Sequence, residues 1–473
     1  MALRIKLTCL LIGCLMRTGW AANPPTAPIS FSAFLHLVKE YHPVMKQAQL
    51  SSEMANLENK KAKGMYDPLI HSDYTRKTFD GKLYYGYFDN YLKIPAWLGD
   101  FSAGYEDNNG IYQNPTDYTP NGGLGYIGYT LPIGQGILID YRRAAMKQAK
   151  VTAQMGVVEK QKTANRLLFE ASLAYLEWYQ AYQRMAALQK GQAVAIANFN
   201  LVKSSISAGD ASQIDSVEAS LLVYERQADV QQAETDLLNT KLLASNFLWD
   251  ENGLPREMTD LLVPQPDSAQ LGIQQALSPH FIEIALPNHP DLNKVDLKLQ
   301  SLYVDRKLAR DYLLPNIDLT GKFLTTSIST IPSNLNGEYI SNNNKIILTL
   351  NQPLFIRKER AKFKEVNLKI QYARWDQEWV KLETTNQIKA GQNKLTNYLR
   401  NNETQKKAMA NYIKVRDAEM TKYQAGDGNL LKINYYDSKA IEATLKSIKL
   451  GTEVYKAYCE LYYKSGRMGE LAE

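Results

Sequence analysis

The sequence predicts a mixed α and β membrane protein made of two copies of one unit: helix, β segment, long helix, tight turn, return helix. Three observations carry that reading. Proline-free stretches with heptad spacing demand helices well beyond the ~25 residues after which coiled coils or membrane spans become the usual explanation. A set of landmarks recurs in the same order in the two halves. Strand-like segments alternate apolar and polar residues in a chain that, after residue 22, has no apolar run long enough for a transmembrane helix.

Residues 1–22 have basic residues at 4 and 6, an apolar run over 7–16, and Ala21 and Ala22 before Asn23, the layout of an export signal. The apolar run is too short for a membrane anchor. Leu11 to Cys14 reads LIGC, which resembles a lipobox and makes Cys14 a candidate lipidation site. Cys9 leaves with the signal on either reading, so the mature chain has Cys459 and at most Cys14, too few for a disulfide framework. The 473 residues are 45% hydrophobic, enough for real cores. The net charge is +6, and Arg4, Lys6 and Arg17 precede residue 23, so no basic footprint for nucleic acid remains.

Self-similarity divides the chain into a first unit over 23–255, a connector over 250–287 and a second unit over 288–473. His42-Pro43 recurs as His289-Pro290, 247 residues on, and Pro68 recurs as Pro315 at the same distance. Leu131-Pro132-Ile133 closes one β segment and Gln352-Pro353-Leu354 the other. Each long helix then leads to a turn, Ala208-Gly209-Asp210 or Ala425-Gly426-Asp427. The connector holds Pro255, Pro264, Pro266 and Pro287 and little periodicity.

In the first unit a long helix is expected over 137–206, a tip turn over 207–215 and a return helix over 212–249. The second unit repeats this with a helix over 357–424, a tip over 425–432 and a return helix over 433–466. The first long helix carries one seam through Leu167, Ala171, Trp178, Met185, Leu188 and Val202, and an offset seam through Leu168, Tyr175, Tyr179 and Tyr182. Two seams on one helix imply neighbours on both sides, as in a sheet or tube of helices; periodicity alone allows an ordinary bundle equally. The return helix has its own seam at Val217, Leu221, Tyr224, Ala228, Thr235, Leu238 and Leu242.

The β segments are expected at about 69–133 and 316–354. Tyr84 to Tyr129 is rich in aromatics, which suits the interfacial girdle of an outer-membrane barrel or, alternatively, cross-strand pairs of a soluble hairpin. Together the segments supply about four core strands, with an extra hairpin within 84–107 left open. Four strands cannot close a barrel, and an open edge in lipid leaves backbone groups unsatisfied. If the strands span a membrane, several chains must therefore share one barrel. Arg142, Arg143 and Lys147, and Arg357, Lys358, Arg360 and Lys362, follow the two β segments; they suit snorkelling at a membrane edge or a solvated helix face equally.

Catalytic chemistry finds no footing. Histidines 36, 42, 71, 280 and 289 lack close ligand spacing, so no metal or other cofactor is expected. His42 and His289 read as helix-entry residues before proline. Gly134-Gln135-Gly136 lacks the rest of a phosphate loop.

The export signal, the paired landmarks, the β segments and the Ala-Gly-Asp turns within long Ala- and Gln-rich helices together resemble the outer membrane efflux protein family typified by TolC. The resemblance covers about residues 28–466. It implies a homotrimer in the outer membrane in which four strands per chain build one 12-stranded barrel, continued by an α-helical tunnel through the periplasm. The implied function is a passive exit duct of a tripartite efflux or type I secretion system, docked to a periplasmic adaptor and an inner-membrane pump. The tips, with Gly209, Asp210, Gly426 and Asp427, then form the periplasmic mouth. Asp215 and Glu218 match the family's acidic spacing after the first tip glycine; in the second unit Lys432 and Tyr435 stand there instead, and an insertion would bring Asp437 into a similar role. A mixed Asp215 and Lys432 ring implies ion pairs that hold the mouth shut. The competing reading is a non-channel coiled-coil tether spanning the periplasm.

Overall fold

The computed structural model describes residues 27–209, 212–256, 258, 262–265, 270–326, 342–425 and 427–472. Cys14, Asp210 and Gly426 lie outside them, as does most of the loop expected from Pro332. The described helices are α1 (Phe31–Tyr41), α2 (Pro43–Gly64), α3 (Tyr141–Ala208), α4 (Gln213–Ser245), α5 (Gln270–Ala276), α6 (His280–Asn288), α7 (Pro290–Asp311), α8 (Arg357–Gln424) and α9 (Leu430–Lys464). The strands are β1 (Ala27–Ser30), β2 (Leu69–Phe79), β3 (Lys82–Pro95), β4 (Asp100–Asn109), β5 (Leu124–Pro132), β6 (Leu262–Gln265), β7 (Asn316–Thr325) and β8 (Asn344–Asn351).

Helices α3 and α8 each have 68 residues, about 100 Å at 1.5 Å per residue. Helix α3 begins later than periodicity suggests because Asp140, in extended conformation, caps it by accepting the Arg143 N–H at 3.0 Å. Near the sheet the helices lie in the order α2, α3, α7, α8; at the far end the order is α4, α3, α9, α8. Thus α3 and α8 run through both storeys, and α7 and α9 successively fill the gap between them.

Where the storeys meet, the largest core gathers Phe34, Leu35, Tyr175, Trp178, Leu395 and Leu461. The connector is not bare coil: β6 pairs in parallel with β1, and the Tyr175 hydroxyl reaches the carbonyls of Ile29 at 2.8 Å and Gln265 at 2.7 Å. His42 and His289 cap α2 and α7. Their Nδ1 atoms accept the N–H of Val44 and of Asp291, each at 3.2 Å, with proline at the first helical position.

The main sheet has six strands in the order β2, β3, β4, β5, β7, β8, each antiparallel to the next. This is two more than the four core strands expected, because 82–109 folds into the strands β3 and β4. Asp80 and Gly81 turn β2 into β3 with φ of 50° and 71°, the left-handed pair of a tight hairpin. Both edge strands, β2 and β8, are exposed along their whole length.

Candidate functional site

Register divides the sheet into two chemically different faces. One face carries His71, Asp73, Tyr87, Asp89, Glu106, Tyr126, Lys322, Thr320 and Lys345, aligned through the pairs Asp73↔Asp89, Asp89↔Glu106, Gly128↔Lys322 and Lys322↔Lys345. Two of its charges are paired in place: Lys322 Nζ lies 3.1 Å from Glu106, and also 3.7 Å from the centre of the Tyr126 ring. Thr130 and Thr320 hydroxyls meet at 2.9 Å.

The opposite face runs Ile70↔Leu92↔Ala103↔Ile127↔Phe323, with Ile94↔Phe101↔Tyr129 and Leu319↔Leu348 in neighbouring rows. These apolar side chains are uncovered: Ile70 is 79% exposed and Ile346 71%. A six-stranded face of this kind is far too apolar for water, while its reverse is too charged for lipid. The arrangement suits a wall with hydrocarbon on one side and an aqueous lumen on the other.

The helical layer is also unfinished, at both lateral edges. Along α4, Ile214, Val217, Leu221, Tyr224, Leu238 and Leu242 are exposed at heptad spacing. On the same edge, nearer the sheet, α2 exposes Leu50, Met54 and Leu57, and on the opposite edge α8 exposes Leu368, Tyr372, Trp375, Trp379 and Leu382 in steps of four and three. The α3 seams are by contrast mostly filled within the chain: Leu167, Leu168, Tyr175, Trp178 and Leu188 are all buried, and Tyr182 is exposed.

At the junction of sheet and helices, Arg142 and Arg143 neither snorkel nor face water; both are buried. Arg142 binds Asp100 at 2.6 Å and Asp140 at 3.0 Å. Arg143 binds Asp140 at 2.8 Å, donates to the carbonyls of Gly136 and Ile137, and stacks on Trp97. Burial opposes the Asp140 charge, but the hydrogen bonds from Arg143 and Arg142 outweigh it and hold the carboxyl below its usual range. Asp311, wholly buried, accepts the Gly136 N–H at 2.6 Å. Sequence reasoning missed Asp100 and Asp311, whose partners lie 42 and 175 residues along the chain, and Asp140, whose local spacing to Arg142 and Arg143 as a helix N-cap was the available signal. Lys147, Arg357, Lys358, Arg360 and Lys362 are exposed.

The tips resolve into different local structures. Gly209 ends α3 in the left-handed region, φ 87°, its N–H turned back to Ile206. Ser212 and Asp215 form a capping box at the start of α4, Asp215 accepting the Ser212 N–H at 2.9 Å, so the acid has a structural partner. Glu218 is half-buried and Asp427 exposed. In the second tip Asn429 caps α9, and Lys432 and Tyr435 are exposed just beyond. Val202, Ala219 and Leu430 pack the two tips together.

Asp437 departs from the aperture role expected of it. It is wholly buried, with Arg416 Nη1 at 3.9 Å as its nearest cationic atom and Ser438 beside it bound to Arg226 at 2.9 Å. Burial raises its pKa, only partly countered by Arg226 and Arg416. Its place on the helix explains this: Leu430, Ile433, Asp437 and Ala440 follow the three-and-four spacing of the buried face.

Among the described residues no cluster of His, Cys, Asp and Glu is arranged to hold a metal, and no helix is long and apolar enough to cross a membrane. Cys459 is buried, its thiol pushed up to about 12 by desolvation.

Residues 281–465 match the sequence profile of the outer membrane efflux protein family. The structure of the outer-membrane channel OprN superposes with a TM-score of 0.63 at 14% identity, over 92% of this chain and 90% of that one. The open-state outer membrane channel MtrE of Neisseria gonorrhoeae gives 0.66 at 12% identity, over 92% and 88%. The outer membrane protein VceC of Vibrio cholerae gives 0.62 at 11%, over 92% and 96%. None of the curated proteins compared matches in sequence. At these identities the superpositions speak for the fold. Two of the superposed structures, OprN and MtrE, are outer-membrane channels.

Proposed function

We propose that the chain is one arc of a homotrimeric exit duct, in which three copies close a single β-barrel in the outer membrane and a helical tunnel below it. The observation that carries this reading is the pair of unfinished edges: one apolar and one polar sheet face, and apolar heptad seams along α4, α2 and α8 that no part of the described chain covers. A tether needs neither a charged inner sheet face nor a sheet open at both ends. Repetition of the arc about an axis satisfies the edge strands and buries the seams at once, as a head-to-tail ring does.

The duct conducts passively. It receives cargo from a periplasmic adaptor and an inner-membrane pump of a tripartite efflux or type I secretion system, which meet the tips around Gly209, Asp210, Gly426 and Asp427. Duplication of an ancestral unit accounts for the matched lengths of α2 and α7, 22 residues each, and of α3 and α8, 68 each. Asp215, Glu218 and Lys432 from neighbouring copies ring the mouth.

Reconstitution into a planar bilayer tests the proposal. Purified protein is expected to run as a heat-labile trimer and to give stepwise ion currents; a monomer without conductance refutes it.

A further inference from the structure

The six-stranded sheet bears on the size of the barrel. Helix α2 enters β2 across residues 65–68, β5 leads to α3 across 133–140, α7 enters β7 across 312–315, and β8 leads to α8 across 352–356. The helices lie in the order α2, α3, α7, α8, the same order as the strands they join, but β3 and β4 stand between β2 and β5 with no helix beneath them. Four helices abreast must therefore match the width of six strands.

Geometry permits this match. Helices pack about 8–10 Å apart, so four span about 32–40 Å. Strands lie about 4.8 Å apart and tilt about 35–45° in a barrel, so each takes about 6–7 Å of circumference. Six strands then span about 35–41 Å, whereas four span only about 23–27 Å.

All six strands also carry wall chemistry. Apolar residues continue on the outer face across the additional pair, Phe88, Leu92 and Ile94 on β3 and Phe101 and Ala103 on β4, while Asp89 and Glu106 lie on the inner one. Six is an even number, so β2 and β8 run in opposite directions, and β8 of one copy meets β2 of the next in the antiparallel sense used throughout the sheet.

Given these constraints, we infer that the two exposed sheet edges are the seam between copies and that three chains build an 18-stranded barrel instead of the 12-stranded one expected from four strands per chain. The inference rests on the trimeric duct proposed above. It makes the outer-membrane section about 1.5-fold wider than a 12-stranded barrel, since diameter grows roughly in proportion to strand number.

Cysteine pairs across the seam, in the full-length protein in native outer membranes, test it. Ile347→Cys or Thr349→Cys on β8 is combined with His71→Cys or Asp73→Cys on β2, all on the inner face. Parallel variants combine the same β8 cysteines with Ser102→Cys on β4. Cys459 is buried and does not compete. Oxidation is expected to give a covalent trimer from β8 with β2 pairs and none from β8 with β4, and projection images should show the ~1.5-fold wider ring. A covalent trimer through β4 instead, or no cross-link from any β8 with β2 pair, overturns the strand number and leaves the trimer standing. A ladder passing beyond three chains overturns the trimer on which it rests.

Discussion

The seam along α4 offers the sharpest test of assembly, because neighbouring residues on one helix have different duties. Leu221 and Leu242 are 57% and 65% exposed, whereas Leu222 is buried against the rest of its own chain. Full burial of a leucine side chain contributes about 1.5–3 kcal/mol. Covering the exposed parts of Leu221 and Leu242 then contributes about 2–4 kcal/mol per seam, and three seams bring the effect on a closed trimer to about 6–11 kcal/mol. The double variant Leu221→Ala, Leu242→Ala should lower the temperature at which the trimer dissociates in detergent, by many degrees, while the released monomer keeps its helical circular dichroism. Leu222→Ala should do the reverse, loosening the α3 and α4 pair before the trimer parts. Dissociation temperatures that do not move in the double variant would show that the α4 stripe faces something other than a second copy.

At the sheet junction, Arg143→Ala leaves the Asp140 carboxylate without its main partner and should cost about 3 kcal/mol, read as protease cleavage within 133–145; Arg143→Lys recovers only part, having no planar fork to reach Gly136 and Ile137. Burial lowers the pKa of both His42 and His289, so their folded values fall below the ordinary 6.5. Stability from these caps is complete above 6.5 and is lost as pH falls from there through the folded values; the protection factors of the amides at 44–46 and 291–293, taken relative to free-peptide exchange at each pH, should fall at pH 5 relative to pH 7.5. The raised Asp437 value has the opposite sign: its penalty is present above the folded pKa and is relieved as pH falls toward 3.8. Asp437→Asn should therefore slow exchange in the adjoining turns of α8 and α9 at neutral pH, and faster exchange would reject the reading. Neutralising Lys432 or Asp215 should raise single-channel conductance if the two form the ring of ion pairs across the mouth; unchanged currents in both variants dismiss that ring.

Much of the architecture was open to reading in the chain. The second long helix, expected over 357–424, lies at Arg357–Gln424, with Pro353 barring helix before it. The β3 and β4 pair was harder, since aromatics fall on both faces: Tyr85, Tyr87 and Tyr91 inside, Phe88 and Phe101 outside. Alternation of polarity, the usual strand signal, is erased when both sides of a strand accept a ring with a polar edge. Arg142 and Arg143 look like surface charges in a linear reading because Asp100, 42 residues earlier, approaches Arg142 only after the sheet has formed. Asp437 was legible in principle: its three-and-four spacing from Leu430, Ile433 and Ala440 marks the inward face of α9. The aperture role that the resemblance implies for it follows tip spacing, which carries no information about helical phase.

Of the described helices, only α3 and α8 pass unbroken through the belt of Phe34, Tyr175 and Trp178. They are the two axial struts of each arc, and the shorter helices are braces bolted to them on one storey only. A brace in the lower storey can slip by a fraction of a turn against its strut without a rigid link to the sheet, since α4 and α9 both end at the belt. Mechanical load from the tips reaches the membrane only by bending or twisting two rods about 100 Å long, which are clamped at mid-height by aromatic packing. In the proposed duct such a belt would act as a bearing, letting the lower rim widen with less disturbance of the sheet above it.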